Sequence, residues 1–264
     1  MKDLEPLDNT QPTDTEMSIL EHLIELRRRL LFMLLIVIAS FLVLIPFSNF
    51  LYNKLALPIL KSLQTGASVI ATDITSTLFA PFKLTFFVAL VVAMPALLYH
   101  IWRFVSPGLY QNERRWIMPL MVGSSFLFYL GIAFAYFIVL PMIAFFFIST
   151  APEGVLVTPD INLLMNFALT LFLAFGAAFQ IPVAILLLHG TGLIHYSKMV
   201  KQRPYVIVGC FFIGMILTPP DILSQTLLAI PMILLFEAGI IIARFIPSKS
   251  RSSSSDIIET LDKT

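Results

Sequence analysis

Charge is scarce in this chain. Only 12% of its 264 residues are Asp, Glu, Lys or Arg, about half the share of an ordinary soluble domain. Hydrophobic residues make up 58%, and the mean hydropathy is +0.90. A water-solvated fold of this length has too little interior to hide that much apolar surface, so the solvent of most of it is lipid. Cysteine is nearly absent. Cys210 alone, inside an apolar run, excludes an intrachain disulfide framework. His22, His100, His189 and His195 show no pairing with Cys or carboxylates at ligand spacing, so neither a metal nor another cofactor is expected. The chain has no G-x-x-x-x-G-K-[ST], no G-x-S-x-G and no H-E-x-x-H. ATP hydrolysis, serine-nucleophile chemistry and zinc hydrolysis therefore have no motif to stand on, and an enzyme is not expected. Nothing points to nucleic acid. The stretch through Glu16 is polar and acidic, unlike a cleavable signal peptide, so the first apolar run is expected to stay in the protein.

What the chain has is long apolar runs. A membrane-crossing helix needs about 20 such residues. Residues 30–50, 77–99, 116–138, 163–188, 205–217 and 227–245 are six candidates. The fourth contains Pro182, which predicts a kink or tilt. The fifth is short for a span, and Thr218-Pro219-Pro220-Asp221 separates it from the sixth. Two prolines stop one helix before the next begins, so 205–245 reads as a hairpin of two short helices. Pro58, Pro81, Pro95, Pro119, Pro182 and Pro231 lie in or beside spans and predict bends. The expected fold is an all-α membrane protein whose six helices, kinked and tilted, form a concave bundle. Residues 18–246 form the membrane domain, flanked by polar tails at 1–17 and 247–264 that are expected to be disordered.

Lys and Arg mark the cytoplasmic side of a membrane protein. Fourteen of the seventeen basic residues fall in the N-terminal segment, the second and fourth loops and the C-terminal tail. The alternate loops hold only Lys54 and Lys61, with Lys83 just inside a span, and the third loop, Pro141–Asn162, holds none. Both termini are therefore expected in the cytoplasm. Ahead of the first span, Ser18-Ile-Leu-Glu21 fits a capping box, and Ile19, Leu20, Leu23 and Ile24 follow a helical period. An amphipathic helix running into the span is expected. The first loop on the other side, Leu51–Ser76, has room for a short helix.

Few polar residues invite a functional reading, and each has a structural alternative. Glu25 pairs with Arg29 at i,i+4, or binds a cationic group. Glu113, beside Arg114 and Arg115, is a solvated loop carboxylate or part of the same site. Gln180 bonds carbonyls freed by Pro182, or docks another helix. Ser124 and Ser125 read as helix-packing residues. Glu237 shares a helix face with Arg244, and Asp221 complements a helix start.

The motifs resemble one family. His22-Leu-Ile-Glu25-Leu-Arg27-Arg28-Arg29-Leu30 is similar to the N-terminal signature of the TatC family, the multispanning receptor subunit of the twin-arginine protein translocase. Phe104-Val-Ser-Pro107-Gly-Leu-Tyr110-Gln-Asn-Glu113-Arg114-Arg115 resembles its first cytoplasmic loop. Phe175-Gly-Ala-Ala-Phe-Gln180-Ile-Pro182 and Leu217-Thr-Pro-Pro-Asp221 resemble two further blocks, in the same order. The resemblance implies a non-enzymatic subunit of the inner membrane that recognises Arg-Arg signal peptides of folded precursors and nucleates an export complex driven by the proton gradient. It implies that Glu25 and Glu113 meet the signal arginines, with Arg27, Arg29, Phe104 and Leu109 around them. It also implies single-span TatA and TatB partners, further copies of this chain, and roles for Pro58, Gln180, Pro182 and Asp221 in partner docking or structure. Many relatives carry glutamate where this chain has Gln180, which argues against a charged role there. The rival reading is a proton-coupled small-molecule transporter, but no inverted repeat is visible and the deepest polar residue is a neutral amide.

Overall fold

In the computed structural model, the residues described are 19–62, 70–105, 117–150, 152, 158–190, 194, 196–217 and 222–245. Both tails lie outside them, as do Leu109, Glu113 and Asp221. Among the described residues are ten α-helices: α1 (Ile19–Leu44), α2 (Ser48–Ser62), α3 (Ser76–Val105), α4 (Ile117–Phe134), α5 (Leu140–Ser149), α6 (Ile161–Ala178), α7 (Ile181–Gly190), α8 (Tyr196–Lys201), α9 (Arg203–Leu217) and α10 (Ile222–Phe245). Five continuous or bent segments are long and apolar enough to cross a membrane: Ile24–Leu55, Ser76–Arg103, Met118–Ser149, Ile161–Gly190 and Gln225–Phe245. With the shorter α9 they make six crossings.

Helix α1 begins at Ile19, directly after the expected cap at Ser18, and runs without a break into the first span. Helix α2 carries the end of the first span, to Leu55, and continues into the first loop, where room for a helix was expected. At 15 residues, α9 is about 22 Å long, shorter than a hydrocarbon core of roughly 30 Å. Helix α10 starts at Ile222, five residues before the apolar run, and has 24 residues. The third span departs furthest from the sequence reading. Helix continues through Pro141 to Ser149, so residues 141–149 are not loop as expected. A π-helical turn, Ala135–Val139, makes this possible. Proline cannot donate a hydrogen bond and its ring presses on the preceding turn. The wider turn, closed by the Leu140 N–H on the Ala135 carbonyl, absorbs that misfit without ending the helix.

The prolines shape the remaining spans, and neighbouring helices repair what they break. Pro95 lies inside α3 and leaves the Val91 carbonyl without its intrahelical donor. The Tyr129 hydroxyl of α4 donates to that carbonyl at 3.1 Å. Pro58 in α2 leaves the Lys54 carbonyl in the same state, and the Tyr136 hydroxyl donates to it at 2.9 Å. In lipid no water is available for this task, so each such bond also fixes one helix against another. The fourth span breaks at Phe179–Gln180, between α6 and α7, two residues before Pro182. The bend expected from Pro182 is present.

The core centres on α6. In the apolar 18-residue stretch of each span, half of Ile161–Gly190 is buried against 6% of the first span, so α6 and α7 form the middle of the bundle and α1 its edge. Phe172, Phe175 and Phe179 pack with Ala135, Val139, Leu140, Ile143 and Leu228. Gly131 and Gly176 allow the close approach of α4 and α6. A Cβ on Gly131 would lie 2.7 Å from the Phe175 carbonyl oxygen, and one on Gly176 would lie 2.7 Å from the Phe128 ring. Outside the spans, Asp160 caps α6 by accepting from the backbone N–H groups of Asn162 and Leu163. It also accepts from the Thr72 hydroxyl at 2.6 Å and the Thr72 N–H at 3.0 Å. Ile70 pairs with Asp160 in a parallel β-bridge, tying the segment before α3 to the start of α6.

Candidate functional site

Glu25 and Arg29 lie one turn apart on the face of α1 that meets α3. The Arg29 Nε donates to Glu25 Oε1 at 3.0 Å, and Arg29 Nη2 donates to the same oxygen. The i,i+4 pair expected from sequence is therefore formed. It does more than support α1. Arg29 Nη1 donates to the His100 carbonyl of α3 at 3.3 Å, so one guanidinium ties a carboxylate of the first span to the backbone of the second. Phe32 stacks on the His100 ring at 6.1 Å, and Phe41 meets Phe86 edge-on at 5.7 Å further along the same seam. Arg103 donates to the Tyr99 hydroxyl at 2.9 Å, one turn before α3 ends.

Helix α1 also carries a shallow groove of about 490 Å³. Ile24, Arg27, Arg28, Leu31, Phe32 and Leu35 line it. Arg27 and Arg28 are exposed. This face joins apolar side chains to two guanidinium groups, an arrangement suited to a segment with both charged and apolar residues. Phe104 is in the last turn of α3, although its side chain lies outside the described residues. In sequence, Glu113 follows the end of α3 by eight residues. The distance between the two expected carboxylates falls outside the described residues with Glu113 itself.

Deeper in the bundle, Gln180 is half-buried at the α6–α7 break. Its Nε2 donates to the Ser124 carbonyl at 3.0 Å, and its Oε1 accepts from the Ser124 hydroxyl. Of the readings left open for Gln180, the intramolecular one is realised, but the partner is Ser124 of α4 rather than a carbonyl freed by Pro182. The buried Ser124 is its donor, and Ser125 bonds the Met121 carbonyl of its own helix at 3.0 Å. Pro182 is buried, and Gly239 of α10 packs so closely that a Cβ there would lie 3.0 Å from the Pro182 Cα. At the basic end of the last hairpin, Arg203 Nη2 lies 2.7 Å from Glu237 Oε2. Glu237 was expected to share a face with Arg244. Arg244 is exposed, and the ion pair runs instead to Arg203 at the start of α9. Sequence reading missed Arg203, which is 34 residues away and carries no local signal. It also missed the Asp160 clasp, although Pro159-Asp160 before an apolar run is an N-cap pattern. Pro58 lies within α2, with its side chain outside the described residues. Among the described residues no group of three His, Cys, Asp or Glu side chains is placed to hold a metal ion.

Fold and site together define a multispanning α-helical membrane protein with an arginine–carboxylate pair where the first two spans meet. Residues 21–231 match the family described as Sec-independent protein translocase protein (TatC). The chain is 49% identical over 251 residues to the protein of that name from Haemophilus influenzae, covering 95% of this chain and 98% of the relative. It is also 49% identical to the Escherichia coli K12 protein over 246 residues, 93% of each. A crystal structure of the twin arginine translocase receptor TatC superposes with a TM-score of 0.77 at 38% identity, over 85% of this chain and 98% of the other. The chain belongs to the TatC family, whose members are components of a protein translocase.

Proposed function

We propose that this chain is the receptor subunit of a twin-arginine translocase of the bacterial inner membrane, and that Glu25 and Glu113 bind the two arginines of the signal peptide. The Glu25–Arg29 pair is the observation that carries this reading. Glu25 already holds a guanidinium through two nitrogens, so its environment is chemically suited to that group. Lysine offers no such fork. Arg27, Arg29, Phe104 and Leu109 complete the surface, and the groove on α1 accepts the apolar part of the signal. Basic residues concentrated at the α1 start, the α3 end and the α10 end support an orientation with both termini in the cytoplasm. The complex includes single-span TatA and TatB subunits and further copies of this chain, with Pro58, Gln180, Pro182 and Asp221 shaping the helix surfaces they meet. The proton gradient drives export through the assembled complex. Relatives named as translocase components give no support to the small-molecule transporter reading.

Photo-crosslinking tests the site. A photoreactive residue at Leu109, in native membranes, is offered an Arg-Arg precursor or its Lys-Lys variant. The expected result is a crosslink with Arg-Arg that is lost with Lys-Lys and lost in Glu113→Ala. Equal crosslinking of both precursors removes Glu113 from the site.

A further inference from the structure

The carboxylate assigned to the signal peptide already holds an arginine of its own chain. We propose that Arg29 is a built-in competitor for Glu25: an incoming guanidinium must displace it, and the cost of displacement sets the affinity below which a signal is ignored. This inference rests on the reading that Glu25 binds a signal arginine.

The geometry supports an exchange rather than a simple addition. Arg29 reaches Glu25 Oε1 through both Nε and Nη2. A bidentate fork spans both carboxylate oxygens, so an arriving arginine that makes one must take Oε1 from Arg29. The side chain of Glu25 is 31% exposed and that of Arg29 only 13%, so the carboxylate is the more accessible member of the pair. Arg29 also has somewhere to remain. Its Nη1 bond to the His100 carbonyl does not involve Glu25, and it anchors the displaced guanidinium beside the site. Exchange keeps the Glu25 carboxylate compensated but leaves the Arg29 guanidinium with the neutral His100 carbonyl in place of a carboxylate, and that loss is the cost of displacement.

Competition lowers the affinity of every ligand by the same factor. It does not change the ratio between Arg-Arg and Lys-Lys signals. It changes which of them is bound at a given concentration: a tight ligand still saturates the site, while the occupancy of a weak one falls in proportion. Arg29 thus sets an affinity threshold and leaves the discrimination itself to the fork at Glu25.

The test is equilibrium binding of fluorescent Arg-Arg and Lys-Lys signal peptides to native membrane vesicles that contain the assembled complex. Arg29→Gln, Arg29→Lys and Glu25→Gln are compared with wild type at matched complex levels. Arg29→Gln is expected to tighten both peptides by about three- to tenfold with their ratio preserved. Arg29→Lys, which keeps the charge but not the fork, is expected to fall between. Unchanged or weaker Arg-Arg binding in Arg29→Gln overturns the competitor, since a residue that merely orients Glu25 gives that sign. If Arg29→Gln does not accumulate, the same comparison is made with Arg29→Lys. Loss of Arg-Arg binding in Glu25→Gln without a gain in the Arg29 variants overturns the competitor alone. Unchanged Arg-Arg binding in Glu25→Gln overturns the reading on which it rests.

Discussion

Tyr129→Phe removes one oxygen from the protein and leaves its shape intact. That oxygen is the donor to the Val91 carbonyl, whose own helical donor is missing because residue 95 is proline. At membrane depth the carbonyl has no water to turn to. Hydrogen bonds between helices in membranes contribute about 0.6 kcal/mol on average and up to about 1.7 kcal/mol. An acceptor left without any donor belongs at the upper end, so Tyr129→Phe should cost about 1–1.5 kcal/mol. The mechanism makes a sharper demand. Pro95→Ala returns an N–H to position 95 and gives the Val91 carbonyl a donor within α3. In that background Tyr129→Phe should cost about 0.5 kcal/mol or less, so the double-mutant cycle shows a coupling of roughly 0.5–1 kcal/mol. Reversible unfolding in mixed micelles, followed by circular dichroism, measures all four corners. Additive effects would refute the idea that Tyr129 repairs the break made by Pro95.

Other features of the bundle make separable predictions. Gly131→Ala places a methyl 2.7 Å from the Phe175 carbonyl oxygen and should destabilise by about 1–3 kcal/mol, whereas Gly123→Ala meets nothing within 4 Å and should be neutral or stabilising by up to about 1 kcal/mol in the same unfolding assay. The hydrogen bonds from Thr72, Leu163 and Asn162 pull the Asp160 carboxyl down to about 2. A depressed carboxylate stabilises above its ordinary value near 3.8 and loses that contribution as pH falls towards 2. Spin labels at Ile70 and Leu163 should therefore keep one distance distribution from pH 9 to pH 4 and broaden only below about pH 3. The Arg203–Glu237 pair is partly exposed, so Glu237→Gln should cost less than about 1 kcal/mol, measured by thermal unfolding; a larger loss would mean the pair is buried in the assembled protein.

The six crossings, the bend at Pro182, the hairpin before α10 and the Glu25–Arg29 pair were all legible in sequence, because each depends on residues close together in the chain. Hydropathy counts one helix at a time, proline acts on its own turn, and an i,i+4 pair needs one helix only. The third span shows the limit of that logic. Residues 139–149 are as apolar as those before them, and Pro141 looks like a terminator. A π-helical turn removes the misfit, and nothing local distinguishes a proline that ends a helix from one the helix absorbs. Ser124 with Gln180 and Tyr136 with the Lys54 carbonyl are separated by 56 and 82 residues. Gln180 and Ser124 stand out singly as polar residues in spans, but nothing local pairs them, and Tyr136 carries no mark until the helices pack. At the proposed recognition surface, sequence pointed to Glu25 and Arg29 but not to the His100 carbonyl, since a backbone acceptor leaves no mark on residue identity.

The central claim is that the Glu25 carboxylate reads an arginine of the signal peptide. Export of a folded reporter with an Arg-Arg signal into inverted membrane vesicles, compared between wild type and Glu25→Gln at equal amounts of assembled complex, tests it most directly. The account predicts that the initial rate falls by about tenfold or more, because a neutral amide cannot make the charge-assisted fork. A wild-type rate in Glu25→Gln would contradict it.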